Sequence, residues 1–189
     1  MNRSWVTLRE AEPDDAAALV ALWGPAMRRA DDSEQLAEMV GIIERCAERP
    51  EQRIVVAEYD GAFAGAVFLR ATTLTTINLE PVVQVISPTV LPENRRRGLG
   101  RALMEAGVAW AEELGIDHVG TAAATSSRDA NRFMARLSLG PFATLRLAPT
   151  AAVRSRLAGT AVPTRAGSRQ LTQVLAARRS LRRSQISPS

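Results

Sequence analysis

Residues 95–101 read Arg-Arg-Arg-Gly-Leu-Gly-Arg, between Pro92 upstream and an apolar pattern of helical spacing downstream. A helix start carries unpaired backbone N–H groups, and glycines without Cβ atoms let a ligand approach them, which makes an anion site. Arg95, Arg96, Arg97 and Arg101 add positive field and charge-assisted hydrogen bonds. The chemistry this arrangement suits is the holding of a polyphosphate. Other phosphate motifs fit less well: no Lys-Ser/Thr pair follows the glycines, and a dinucleotide fingerprint wants Gly or Ala where Leu103 stands.

The elements that must position this turn follow from the flanking patterns. Leu99, Leu103, Ala106, Trp110 and Leu114 share one face and Gly115 stands at the C-terminal cap, so the turn opens a helix over residues 98–114. Upstream, 82–91 is rich in β-formers, but Pro88 cannot donate to a ladder and predicts a bulge or an unpaired edge. Residues 53–74 read as a hairpin about Asp60-Gly61. A strand over 5–9 comes first. Pro13-Asp14-Asp15 then opens a helix burying Leu19, Leu22, Trp23 and Met27, and Asp31-Asp32 opens a second with the stripe Leu36, Met39, Val40, Ile43 and Ala47. After the turn come a small-residue strand over 118–124, a helix from Ser127 to about Leu137, and a last strand over 142–147.

At 189 residues, 46% of them hydrophobic, the chain suits one packed domain with a tail: a domain over 1–149 and an Arg-rich, partly helical extension over 150–189. Charge divides the same way. Residues 1–129 hold 13 Arg against 20 acids (13 − 20 = −7), whereas residues 130–189 hold 11 Arg and no acid (+11), giving the net +4. No apolar run approaches a membrane span or a signal-peptide core, so a cytoplasmic protein is expected. Cys46 is the only cysteine and His118 the only histidine, which predicts no disulfide and no metal site.

The segment Val90-Leu91-Pro92-Glu93-Asn94-Arg95-Arg96-Arg97-Gly98-Leu99-Gly100 resembles, without a gap, the acetyl-CoA motif of the GNAT N-acetyltransferase superfamily, Arg/Gln-x-x-Gly-x-Gly/Ala after a strand ending in Val-x-Pro. The order of elements over residues 4–147 is also similar. The resemblance implies an α/β (α+β) fold: a central mixed, mostly antiparallel sheet with splayed central strands flanked by helices, plus the basic C-terminal extension. It implies acetyl-CoA as co-substrate and no metal. Arg95, Arg96, Arg97, Gly98, Leu99, Gly100 and Arg101 would take the pyrophosphate, and the splay would expose backbone at Thr89, Val90 and Leu91 to the pantetheine arm. A second family motif, Asn-x-x-Ala-x-x-Phe/Leu-Tyr, falls on Ser127-Arg128-Asp129-Ala130-Asn131-Arg132-Phe133-Met134, adding Ser127 and Asn131 as CoA contacts. Ser127 replaces the asparagine, and Met134 replaces the tyrosine that often protonates the departing thiolate; a register anchored on Asn131 puts Ser138 at that position instead. The only tyrosine, Tyr59, sits beside a hairpin turn.

The implied activity is transfer of an acetyl group from acetyl-CoA to a primary amine of a small molecule or protein. Glu80, before the central strand, is the candidate general base; Glu58 is a second carboxylate, and Gln84, Ser87 and Thr89 are placed to position a water. Asp31, Asp32 and Glu34, between the first two helices, would draw in a cationic amine acceptor, although helix capping explains them more cheaply and steering is the secondary reading. The missing tyrosine favours a second reading, a non-catalytic acyl-CoA-binding regulatory module. In the tail, Leu171, Val174, Leu175 and Leu181 lie near one helical face among Arg169, Arg178, Arg179, Arg182 and Arg183. Docking on the acidic domain, or on a second subunit as a homodimer, is favoured over nucleic-acid binding, because aromatic stacking platforms are absent.

Overall fold

The computed structural model describes residues 5–122 and 127–159. The chain divides into two compact units, Met1–Gly140 and Pro141–Ser189. The first holds β1 (Val6–Glu10), α1 (Ala16–Trp23), α2 (Asp32–Glu48), β2 (Gln52–Tyr59), β3 (Ala62–Thr73), β4 (Pro81–Val90), α3 (Leu99–Leu114), β5 (Val119–Thr121) and α4 (Arg128–Arg136). The strands form one sheet in the order β1-β2-β3-β4-β5, antiparallel throughout except for the parallel pair β4–β5. That pair is parallel because α3 carries the chain back across one face before β5 begins.

Period-2 alternation sends successive side chains to opposite faces of the sheet. Val55, Val67, Leu69, Val83 and Val85 pack with Leu99, Leu103, Met104 and Trp110 of α3 and Met134 of α4. Ile54, Ala66 and Phe68 point the other way, onto Leu19 and Trp23 of α1 and Met39 and Ile43 of α2. Gly107 sets the depth of α3 on the sheet, since a Cβ there would lie 2.6 Å from a methyl of Val85. The Asp60-Gly61 turn forms as the dipeptide predicts, with both residues at positive φ.

A buried polar anchor ties the first strand to the first helix. Arg9 donates to both carboxylate oxygens of Asp15 at 2.7 and 2.8 Å and to Glu58 at 2.7 Å. The Arg9 guanidinium holds the Asp15 carboxyl below the usual carboxylate range, against the opposing effect of burial.

The second unit departs from the expected last strand. Residues 142–147 form no ladder, and Phe142, Leu145 and Leu147 are 76%, 93% and 94% exposed. Their spacing of three and then two leaves no common face for a strand to bury. The helix α5 (Thr150–Gly159) follows, and every described side chain of this unit is exposed. The tail leucines and arginines from 169 onward lie outside the described residues, as do residues 123 and 124 of the expected 118–124 strand. Among the described residues, no helix is long and apolar enough to cross a membrane, and no cluster of His, Cys, Asp and Glu could hold a metal ion.

Candidate active site

The glycine and arginine turn lies where β4 hands over to α3. Gly98, the N-cap of α3, has φ +89°, a conformation that L side chains adopt only with strain, and Arg96 adopts +62°. The left-handed residues bend the chain so that the N–H groups of Arg96, Arg97, Gly98, Leu99 and Gly100 find no acceptor among the described residues; the first helical bonds, from Arg101 and Ala102, both go to the carbonyl of Gly98. Five consecutive free donors at a helix start form an anion-binding concavity. Arg95, Arg96 and Arg97 are exposed around it. The Arg97 guanidinium lies over the Tyr59 ring, 4.6 Å from its centroid, which gives the chain's only tyrosine a place beside the turn. Arg101 is less available, because its Nε donates to Glu105 at 2.7 Å. A Cβ on Gly100 would meet nothing closer than the ring tip of Phe133 at 3.9 Å, an ordinary contact, so packing within the protein does not require a glycine here.

Upstream of the turn, β4 carries the expected bulge. Phe68 pairs with Ile86 and Ala66 with Thr89, a step of two residues on β3 against three on β4, so one extra residue is accommodated at Ser87-Pro88. Ser87 takes φ +50°. Its carbonyl accepts from the Trp23 indole N–H at 3.0 Å and from the Thr89 hydroxyl at 2.9 Å. Gly65 permits the close approach beyond the bulge: a Cβ there would lie 2.5 Å from the Thr89 carbonyl oxygen. The pairing of β4 with β5 covers only Val83, Gln84 and Val85, so Ile86–Val90 has no strand partner on that side among the described residues.

Strand residues present their backbone groups to alternate neighbours. Leu91 donates to Ala64 at 2.8 Å and accepts from Asn94 at 2.9 Å, and Thr89 pairs with Ala66 of β3. Val90 therefore turns its N–H and C=O toward the gap. Of the three expected backbone contacts, Leu91 already bonds Ala64 through its N–H and Asn94 through its C=O, and Thr89 pairs with β3. Ser127 and Asn131 lie at the start of α4, next to α3 through the Phe133 contact; Asn131 donates from its side chain to the Ser127 carbonyl at 2.7 Å. Met134 is buried in the core, 9% exposed.

On the other face of the sheet, a cleft of about 360 Å³ is lined by Trp23, Ala26, Met27, Met39, Ile42, Arg45, Gln52, Phe68, Ile86 and Ser87. It reaches the bulge through Ser87 and Ile86. Sequence reasoning assigned Trp23 only to a helix core and missed Arg45, Gln52 and Gly65. The run Ala64-Gly65-Ala66 within a strand was the available signal, since an interior strand glycine marks a bulge or a close backbone approach.

The expected acid and base positions are not brought to this cleft. Glu80 precedes β4, at the end remote from the turn, and stands 3.7 Å from His118, both exposed. Seven residue steps along β4, at about 3.3 Å each, place it roughly 20 Å along the strand from Ser87. Glu58 is bound to Arg9, and Gln84 accepts from Arg70 at 2.7 Å. Asp31 caps α2 through the Glu34 N–H at 2.8 Å, and the Ser33 hydroxyl and that N–H hold its carboxyl below the usual range. Glu34 and Glu38 pair with Arg28. Capping and pairing thus occupy the acids expected to draw in a cationic acceptor, apart from Asp32. Burial pushes the Cys46 thiol up, in keeping with a spectator role.

A family model described as Acetyltransferase (GNAT) family matches residues 16–139. No curated protein matches the chain. Among solved structures, a transcriptional regulator from Bacillus halodurans C-125 superposes with a TM-score of 0.67 at 18% identity, covering 77% of this chain and 100% of that one. The aminoglycoside N-acetyltransferase AAC(6')-Iy in complex with CoA gives 0.66 at 17% identity, covering 79% and 98%. Glucosamine-6-phosphate N-acetyltransferase from Arabidopsis thaliana gives 0.61 at 14%, covering 77% and 99%. At these identities the likeness is one of fold.

Proposed function

The chain belongs to the acetyltransferase (GNAT) family, and on that premise we propose that it transfers an acetyl group from acetyl-CoA to a primary amine of a small molecule or protein. The observation that carries this reading is the run of five N–H groups over residues 96–100 with no acceptor among the described residues, continuous with the edge of β4 that has no strand partner among them. The pyrophosphate takes those donors, with Arg95, Arg96 and Arg97 neutralising its charge. Val90 offers its backbone to the pantetheine arm, and Ser127 and Asn131 flank the same ligand from α4. Thr89 borders the gap through its hydroxyl, while Leu99 serves by burial, 1% exposed, anchoring the turn to the core.

An arm laid along β4 toward Ser87 brings the thioester beside the cleft, where the amine waits. The neutral amine nitrogen attacks the carbonyl carbon, the carbon–sulfur bond breaks, CoA leaves as the thiolate, and the nitrogen loses its proton to solvent or to that thiolate. Holding both reactants in line is worth up to about 7–11 kcal/mol in favourable cases, and a thiolate with an ordinary pKa near ~8.5 leaves without a dedicated acid. Glu80, at the far end of β4, has no direct part in this scheme. Calorimetry with acetyl-CoA tests it: saturable binding is expected, and no binding at millimolar ligand overturns it.

The burial of Met134 favours a second reading, an acyl-CoA-binding regulatory module without turnover. Thiol release across a panel of amines, peptides and aminoglycosides separates the two. Saturable turnover on any acceptor excludes the module; tight binding with no turnover excludes the enzyme.

A further inference from the structure

The cleft beside the bulge has a chemistry of its own. Most of its lining side chains are apolar, Trp23, Met27, Met39, Phe68 and Ile86 among them, and among the described lining residues Arg45 is the one charged group and no carboxylate is present. Arg45 lies toward the C-terminal end of α2, and its exposed guanidinium has no carboxylate within ion-pair distance among the described residues. Gln52 also lines the cleft. The pairings Ile54 with Phe68 and Phe68 with Ile86 show that the floor crosses three strands, from β2 near Gln52 to β4 at Ser87. Two strand spacings place those ends roughly 10 Å apart or somewhat more.

From this geometry we infer that the acceptor is an amine with an apolar body and a distal carboxylate: the nitrogen lies at the Ser87 end, the body against Trp23, Met39 and Phe68, and the carboxylate on Arg45 and Gln52. The inference rests on the proposed acetyl transfer and narrows its acceptor. A guanidinium presents a planar fork that matches a carboxylate, whereas a polycationic acceptor meets a like charge with no carboxylate among the described lining residues to offset it. The separation excludes an α-amino acid acetylated on its α-nitrogen, whose carboxylate is too close to the amine to span the cleft.

The test compares three straight-chain acceptors at saturating acetyl-CoA: amino-octanoate with its amine on the terminal carbon, octylamine and octane diamine. The expected order of kcat/KM is amino-octanoate, octylamine, diamine. Arg45→Gln is expected to lower amino-octanoate turnover about fivefold, the scale of a partly exposed charge pair, and so to narrow its advantage over octylamine. Arg45→Glu is expected to invert the order in favour of the diamine. Equal use of the three amines by the native protein, or an order unmoved by Arg45→Glu, overturns the inference. If acetyl-CoA binds and no amine turns over, calorimetric titration of amino-octanoate into the CoA complex decides: binding that Arg45→Glu abolishes keeps the cleft assignment while removing acetyl transfer, and no binding removes the assignment itself.

Discussion

The glycine turn and the cleft, on either side of the bulge in β4, are built by opposite means. The turn is made from consecutive residues, 95–101, and works through backbone N–H groups. The cleft draws on α1, α2, β2, β3 and β4 and works through side chains. Backbone recognition depends on φ and on missing Cβ atoms and tolerates change in neighbouring side chains. Side-chain recognition is open to substitution at each wall, so under the proposed function the acceptor could change while the acyl donor stays the same. The bulge lies between the two, and Trp23 ties the cleft to it, as a wall of the cleft and as the donor to the Ser87 carbonyl.

If the turn is a backbone device, the largest effect should come from filling it. Gly100→Trp is expected to abolish acetyl-CoA binding by calorimetry while leaving the melting temperature close to native, because packing within the protein does not require a glycine there. Gly98→Ala separates conformation from bulk: its φ of +89° makes the substitution cost about 1–2 kcal/mol in thermal unfolding, whereas Gly100→Ala should cost little.

The Arg9–Asp15–Glu58 anchor supports both regions, so breaking it should not discriminate between them. Asp15→Asn is expected to lower stability by about 1–3 kcal/mol, since it leaves a part-buried guanidinium short of its partner. The Asp15 carboxyl is depressed in the folded protein, so its contribution is present above the ordinary carboxylate value near ~4 and is lost as pH falls through the lower folded value. Unfolding followed by fluorescence from neutral to acid pH should show a shallower acid loss in the variant than in the native protein.

Trp23→Phe keeps an apolar wall and removes the N–H to Ser87. It is expected to cost about 1 kcal/mol of stability and to raise acceptor KM several-fold while acetyl-CoA affinity holds. A matching loss of acetyl-CoA affinity would mean that the turn and the cleft are one device. The smallest effect is expected at Arg101→Gln, less than about threefold on acetyl-CoA Kd, because this arginine is exposed and already paired with Glu105.

The contiguous features were legible in the sequence for a physical reason: they depend on local geometry. The glycine turn, the helix it opens, the cap at Gly115, the Asp60-Gly61 hairpin and the irregularity at Pro88 all follow from conformational limits on single residues and from periodicity over short windows. Features that depend on partners were decided by the tertiary structure. Glu80 is next to a promising strand in sequence, yet strand length carries it to the wrong end. Residues 142–147 have β-forming side chains but no neighbour to complete a ladder. The bonds of the Leu91 backbone to Ala64 and Asn94 are likewise set by tertiary structure. The cleft had no linear signature, because Trp23, Arg45, Gln52 and Ser87 share a wall only after the helices pack across the sheet, and hydrophobic burial, which drives that packing, is non-directional.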